Sequence, residues 1–315
     1  MSLVCGAYRI DDLHAADSGF CEKMTFPAYR HLLALQPALR LPGEAEQRFV
    51  QALGFVGRSG DHAVGLALAE APVRKEAGAS ELLSLFVERE HRGAGLATAL
   101  VEAVEDRLRD RGFPSVEAVY MTGKASIAAV ERIFAKRGWE TPELRTVTVK
   151  FTMQEALATP WYGRMRLLLA SAEVFCWKDL TADERRRLVE SNERAPWIPK
   201  GLEPWRHDII GFEPVSSVGL RYRGEVVGWV INHQVDARTV RLTCSFMRQE
   251  LSPRIVPLYS EVLRRLSEAG CEFCTFITPT VYPGMLEFIQ RHCAPYASFT
   301  GETRGTRKLL TTGQV

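Results

Sequence analysis

The stretch from Glu81 to Leu108 constrains the fold of this chain most. Residues from Glu81 to Val87 form a compact apolar run bounded by turn signals, which reads as a strand. Arg92-Gly93-Ala94-Gly95-Leu96-Ala97-Thr98 follows, and Leu96, Leu100, Val101, Val104 and Leu108 then mark one face of a helix. Gly112-Phe113-Pro114 stops that helix. The chain must therefore turn sharply between a strand and a helix. Glycines permit such a turn and bring N–H groups close to a ligand. The start of the helix adds unpaired N–H donors and a partial positive charge, and Arg92 adds a forked cation.

The other segments extend this into a mixed fold. Val4 to Ile10 reads as a strand, and Asp11-Asp12 opens a mostly helical stretch to about Leu35. Gln51 to Val56 and Ala63 to Leu68 read as a hairpin. Ser115 to Met121 is a strand, Ala125 to Arg137 a helix ending at Gly138, and Leu144 to Met153 a strand. The second half repeats this order. Val227-Gly228-Trp229 echoes Val64-Gly65-Leu66 at a spacing of 163 residues, and Ser245-Phe246-Met247 echoes Leu85-Phe86-Val87 at a spacing of 160. A hairpin, a strand, a helix (Ile255 to Ala269), a strand (Cys271 to Thr278), a helix (Met285 to Cys293) and a final strand all recur. The 315 residues therefore read as a duplicated α/β (α+β) fold. The expected boundaries are a first domain over 1–154, a connector over 155–172 and a second domain over 173–315. The stretch from Met153 to Leu169 reads as a bridging helix.

Charge excludes some classes of partner. The formal net charge is +2, divided as −2 up to Glu155 and +4 beyond it, which is no polybasic nucleic-acid binder. No apolar run reaches the length of a membrane span, and the first residues lack the pattern of a signal peptide. Seven cysteines, an odd number spread over both halves, read as reduced thiols in a cytoplasmic protein.

Three phosphate sites compete for the glycine turn. A P-loop needs Gly-Lys-Ser/Thr after its glycines, and none is present. A dinucleotide fingerprint needs a third glycine where Thr98 stands, and Glu117 falls inside the next strand rather than at its end. The third is a pyrophosphate turn for acyl-coenzyme A. Here the chain resembles the GNAT acyltransferase superfamily. Arg92-Gly93-Ala94-Gly95-Leu96-Ala97 matches that family's Arg/Gln-x-x-Gly-x-Gly/Ala motif. Leu85-Phe86-Val87 and Phe134-Ala135-Lys136-Arg137-Gly138-Trp139 look like further landmarks. The match spans most of residues 4–154, and the second half resembles the fold by element order.

The resemblance implies a twisted, largely antiparallel sheet in each half, splayed at the strand from Glu81 to Val87. It implies acetyl-CoA or another acyl-CoA, with its pantetheine along Leu85, Phe86 and Val87. The pyrophosphate would then lie on Arg92, Gly93, Ala94, Gly95, Leu96, Ala97 and Thr98. The implied reaction is direct acyl transfer to a primary amine of a small molecule or peptide. Fatty-acyl transfer onto a natural-product peptide and a non-catalytic acyl-CoA-binding module are the alternative readings. Glu81 stands where the family often carries its general base. The N–H of Phe86 or Val87 would polarise the thioester carbonyl. The family's usual acid is a tyrosine where this chain has Phe134, which has no proton to give. Tyr120 is the substitute candidate acid. Ser126 stands near a position where the family often has a cofactor-binding Asn.

The second half departs from the motif. Counting from Phe246 as from Phe86 sets Arg241 opposite Glu81 and the segment from Ser252 to Pro257 opposite the glycine turn. Pro253 and Ile255 replace glycines there, so this half is expected not to bind coenzyme A in the family's way. Cys271-Glu272-Phe273-Cys274, with His292-Cys293 downstream, has metal-ligand spacing. It lies in an apolar strand whose alternation puts the sulfurs on opposite faces, and no metal is expected. His91 reads as a surface-turn residue, and Trp197 and Trp205 read as core packing.

Overall fold

The computed structural model describes residues 3–35, 38–40, 48–73, 79–163, 171–207 and 211–310. They form two compact units, Met1–Leu144 with Thr303–Val315, and Arg145–Glu302.

In unit 1 the strands are β1 (Leu3–Cys5), β2 (Tyr8–Asp12), β3 (Ala38–Arg40), β4 (Arg48–Ser59), β5 (His62–Pro72), β6 (Ser80–Val87) and β7 (Ser115–Met121). They run in the order β1-β2-β4-β5-β6-β7, with β3 also on β4. All neighbours are antiparallel except β6 and β7, which are parallel. Residues Thr303 to Leu309, from the last strand of the chain, pair with β7 and extend the sheet. These residues fall within the expected second domain, 173–315. Conversely, the strand after the second helix of unit 1, β8 (Glu143–Thr152), pairs with a strand of unit 2 from Thr146 onward. Amphipathic alternation identifies a strand but does not say which neighbour completes its ladder.

Two helices cover one face of this sheet. The long one, α2 (Leu96–Asp110), buries the predicted stripe of Leu96, Leu100, Val101, Val104 and Leu108 to 1% exposure or less. It packs against Ala67, Ala69, Leu82 and Val87. Gly57 permits the approach: a Cβ there would lie 2.7 Å from Leu96 Cδ1. The other helix, α3 (Ile127–Lys136), adds Phe134 to the same core. The opposite face is covered by α1 (Ser18–Cys21) and three short 3₁₀ turns between Ala15 and Ala34. Their Cys21, Met24, Leu32 and Leu33 pack on Val56, Leu66, Leu68 and Leu83. The expected mostly helical stretch is interrupted where Pro27 holds Phe26 in an extended conformation. Asp11 and Asp12 lie in β2, and Gly6 (φ 59°) divides the expected first strand into β1 and β2.

A buried charge ties α2 to the rest of unit 1. Glu105 has no exposed side-chain surface. It accepts hydrogen bonds from Arg137 Nη2 (2.7 Å), Trp139 Nε1 (2.7 Å) and Lys308 Nζ (2.5 Å). Glu105→Ala would take the carboxylate from Lys308 and leave Arg137 with Glu102 alone, so a loss of about 3 kcal/mol in unfolding free energy is expected. Urea denaturation measures it, and a loss below about 1 kcal/mol would show the network to be dispensable.

In unit 2 the strands are β9 (Ala172–Cys176), β10 (Val218–Tyr222), β11 (Glu225–Asp236), β12 (Thr239–Met247) and β13 (Phe273–Pro279). Their order is β9-β10-β11-β12-β13, with residues Thr146–Thr152 of β8 beyond β13. Again one pair, β12 and β13, is parallel. The helix α5 (Ala182–Arg194) starts at a capping box of Thr181 and Glu184. Trp177, Trp229 and Ile231 form an aromatic core with Trp197, Trp205 and Phe246. The helix α6 (Ile255–Glu268) follows β12, and the expected bridging helix is a short one, α4 (Met153–Leu157). The run from Leu167 to Leu169 lies outside the described residues.

Candidate active site

The parallel pair of unit 1 comes apart partway along. Ser80, Glu81 and Leu82 pair with Val116, Glu117 and Ala118, and the ladder ends there. β6 runs on to Val87 and β7 to Met121. Leu85, Phe86 and Val87 therefore lie on a stretch that stays paired with β5 and has left β7. A gap of this kind exposes backbone donors and acceptors to a linear ligand.

The glycine turn closes the same end. Gly93 (φ 83°) and Gly95 (φ 86°) are both left-handed, a conformation that side chains oppose. Gly95 is the N-cap of α2 and supplies no side-chain cap. Among the described residues, no backbone carbonyl outside the helix accepts from the N–H groups of residues 93–98. A Cβ on Gly93 would meet no atom within 4 Å, so the turn is open to a ligand. Arg92 is anchored by Nε to the Val87 carbonyl at 2.9 Å. The turn thus offers donors, the positive end of a 15-residue helix and a cation to an anionic group. Phosphate chemistry fits these residues.

Glu81 is half-buried on β6, and its cross-strand partner on β5 is Glu70, 2% exposed. Leu83 is an extra residue in the ladder, a bulge between the Leu68–Ser84 and Ala69–Leu82 pairs. Alternation puts Glu70 and Glu81 on the face covered by the segment from Ala15 to Ala34. On that face the buried hydroxyls of Thr25 and Ser84 are 2.6 Å apart. Sequence reasoning missed Glu70, Ser84 and Thr25. The hairpin register holds the signal for Glu70, but only once the bulge is known.

Tyr120 lies on β7, and its hydroxyl donates to Glu131 Oε1 at 3.0 Å, where Arg304 Nη1 also binds at 3.1 Å. Burial raises its pKa, and the Glu131 carboxylate raises it further. Its proton is thus committed to Glu131. Phe134 is 2% exposed between Tyr120 and Trp139, with ring centroids at 6.0 and 4.5 Å. His91 shares a 3.2 Å hydrogen bond with the Tyr8 hydroxyl.

The corresponding region of unit 2 differs. β12 also parts from β13 after Leu242 and Phe276. Beside the freed stretch, Tyr259 of α6 is fully buried and donates to Ser245 Oγ at 2.7 Å. A 3₁₀ helix from Gln249 to Arg254 runs into α6 in place of the glycine turn, and no residue there has a positive φ. Cys271 precedes β13 and Cys274 is buried in it. No group of three His, Cys, Asp or Glu side chains among the described residues is arranged for a metal.

Residues 22–135 match the family model described as the acetyltransferase (GNAT) family. Over these residues the chain is similar in sequence to the GNAT family. The solved structure of a tandem GNAT protein from the clavulanic acid biosynthesis pathway superposes with a TM-score of 0.61 at 14% identity, covering 98% of this chain and 100% of that one. A GCN5-related N-acetyltransferase from Sphaerobacter thermophilus gives a TM-score of 0.60 at 16% identity, covering 99% of this chain and 98% of the other. At such identities the likeness is one of fold, and it extends over both GNAT-like halves. No curated protein sequence matches the chain. No helix among the described residues is long and apolar enough to cross a membrane.

Proposed function

We propose that unit 1 is an acyl-CoA-dependent N-acyltransferase, with acetyl-CoA as the default donor and a primary amine of a small molecule or peptide as acceptor. The observation that carries this reading is the conjunction of the parted β6 strand with the left-handed Gly93 and Gly95 at the start of α2. The donor's pyrophosphate would lie on residues 92–98 and its pantetheine along residues 85–87. The amine nitrogen attacks the thioester carbonyl, the C–S bond breaks, and the thiolate takes a proton. Glu81 is assigned the proton lost by the amine. With Phe134 inert and Tyr120 held by Glu131, water is assigned the protonation of the thiolate. A thiol with a pKa of roughly 8.5 leaves adequately on that basis.

Unit 2 is assigned no donor site, because Tyr259 fills the place beside Ser245 and the turn is lost. Calorimetry with acetyl-CoA is therefore expected to saturate at one molecule per chain, and thiol release is expected with a panel of amines. Saturation at two would contradict the assignment for unit 2. Binding without thiol release from any amine would make unit 1 a binding module.

A further inference from the structure

We infer that unit 2 holds a binding site for a small carboxylate, built on Arg241 and His233. The site stands at the duplicated position of the Glu70–Glu81 pair. In unit 1 the pairs run Leu66–Phe86, Leu68–Ser84, Ala69–Leu82 and Glu70–Glu81, with Leu83 extra. In unit 2 they run Trp229–Phe246, Ile231–Cys244, Asn232–Leu242 and His233–Arg241, with Thr243 extra. Register and bulge are the same. In both units the pair sits one residue before the parallel strands part, at Leu82 in one and Leu242 in the other. The duplicated geometry thus survives while two carboxylates have become an imidazole and a guanidinium.

Among the described residues, no carboxylate is paired with Arg241. Its Nε is shielded from water and has no hydrogen-bond partner among the described residues. Other part-buried arginines here are matched: Arg58 with Asp17, Arg137 with Glu105 and Arg221 with Glu184. These carboxylates raise their partners' pKa values, whereas burial lowers that of Arg241. A shielded guanidinium N–H without an acceptor is costly. A ligand that supplies two oxygens removes that cost, and a carboxylate matches the guanidinium fork.

His233 completes the site. Its Nδ1 is 2.9 Å from the Thr243 hydroxyl, and the His207 ring lies 5.2 Å away, centroid to centroid. Burial lowers the His233 pKa, the Gly211 backbone partly offsets this, and Arg241 lowers it further. His233 Nε2, like Arg241 Nε, is shielded from water and has no hydrogen-bond partner among the described residues, and an N–H there would donate to a carboxylate oxygen. Thr243 is exposed, and Arg241 and His233 are half-buried.

The test titrates the full chain with acetate and benzoate, following the histidine Cε1–H signals by NMR, with His233 assigned from His233→Gln. A saturable shift of His233 is expected with at least one carboxylate. Arg241→Gln should weaken that binding at least about tenfold. Arg241→Lys, which keeps the charge and loses the fork, should weaken it severalfold and stands in should the Gln variant fail to fold. Arg241→Met should melt no lower than the parent protein without ligand and lose any stabilisation by the carboxylates. Inorganic phosphate is the comparison anion. The assignment is overturned by no saturable shift with either carboxylate, by a phosphate shift alone, or by unchanged affinity in the Gln or Lys variant. None of these outcomes depends on the donor site of unit 1, which acetyl-CoA binding reports separately.

Discussion

Glu81→Gln lowers the acyl-transfer rate by about 10²–10⁴-fold, the span expected when a positioned general base is lost. The amide keeps the size of the side chain and removes its basicity. The loss should be largest near neutral pH, where an alkyl amine with a pKa of roughly 10.4 is almost wholly protonated. As pH rises toward that value the free amine fraction grows, less proton removal is required, and the variant should approach the parent rate. Donor affinity should change little, because Glu81 lies on the face covered by the segment from Ala15 to Ala34. Rates across pH with acetyl-CoA and a reactive amine supply the measurement. A parent-like rate at neutral pH would shift the role to Glu70, the buried cross-strand partner, and Glu70→Gln would then show the loss instead.

Gly95→Glu is expected to weaken acyl-CoA binding about 10–100-fold. Charge-assisted hydrogen bonds of roughly 1.5–3 kcal/mol are at stake, with about 1.4 kcal/mol per factor of ten. The substitution acts in two ways. It forces a side chain into φ 86°, at a cost of about 1–2 kcal/mol in the turn, and it sets a negative charge where phosphates would bind. The fold should survive, because the nearest atom to an added Cβ is Cys5 Sγ at 3.8 Å. Gly95→Ala separates the two effects, since it carries the strain without the charge and should weaken binding less. Calorimetry on both variants decides the matter, and unchanged affinity in folded Gly95→Glu would remove the pyrophosphate from this turn.

Local pattern in the sequence determined the strand–turn–helix at residues 81–108. A 3.6-residue stripe and two glycines describe a helix start without reference to distant residues, and all five predicted stripe residues are buried. The repeat of element order was also legible, because residues with the same role recur at near-constant spacing. Distant pairing was not. The membership of β8 and of residues 303–309 depends on which ladder each strand joins. The bulges at Leu83 and Thr243 change the register by one residue, and only that change sets Glu70 opposite Glu81 and His233 opposite Arg241. The commitment of Tyr120 to Glu131 likewise comes from β7 and α3 meeting in space. The sequence by itself determined where a donor turn can form, because that depends on neighbours in the chain. Only the tertiary structure decided which charges face one another, because that depends on register between strands many residues apart.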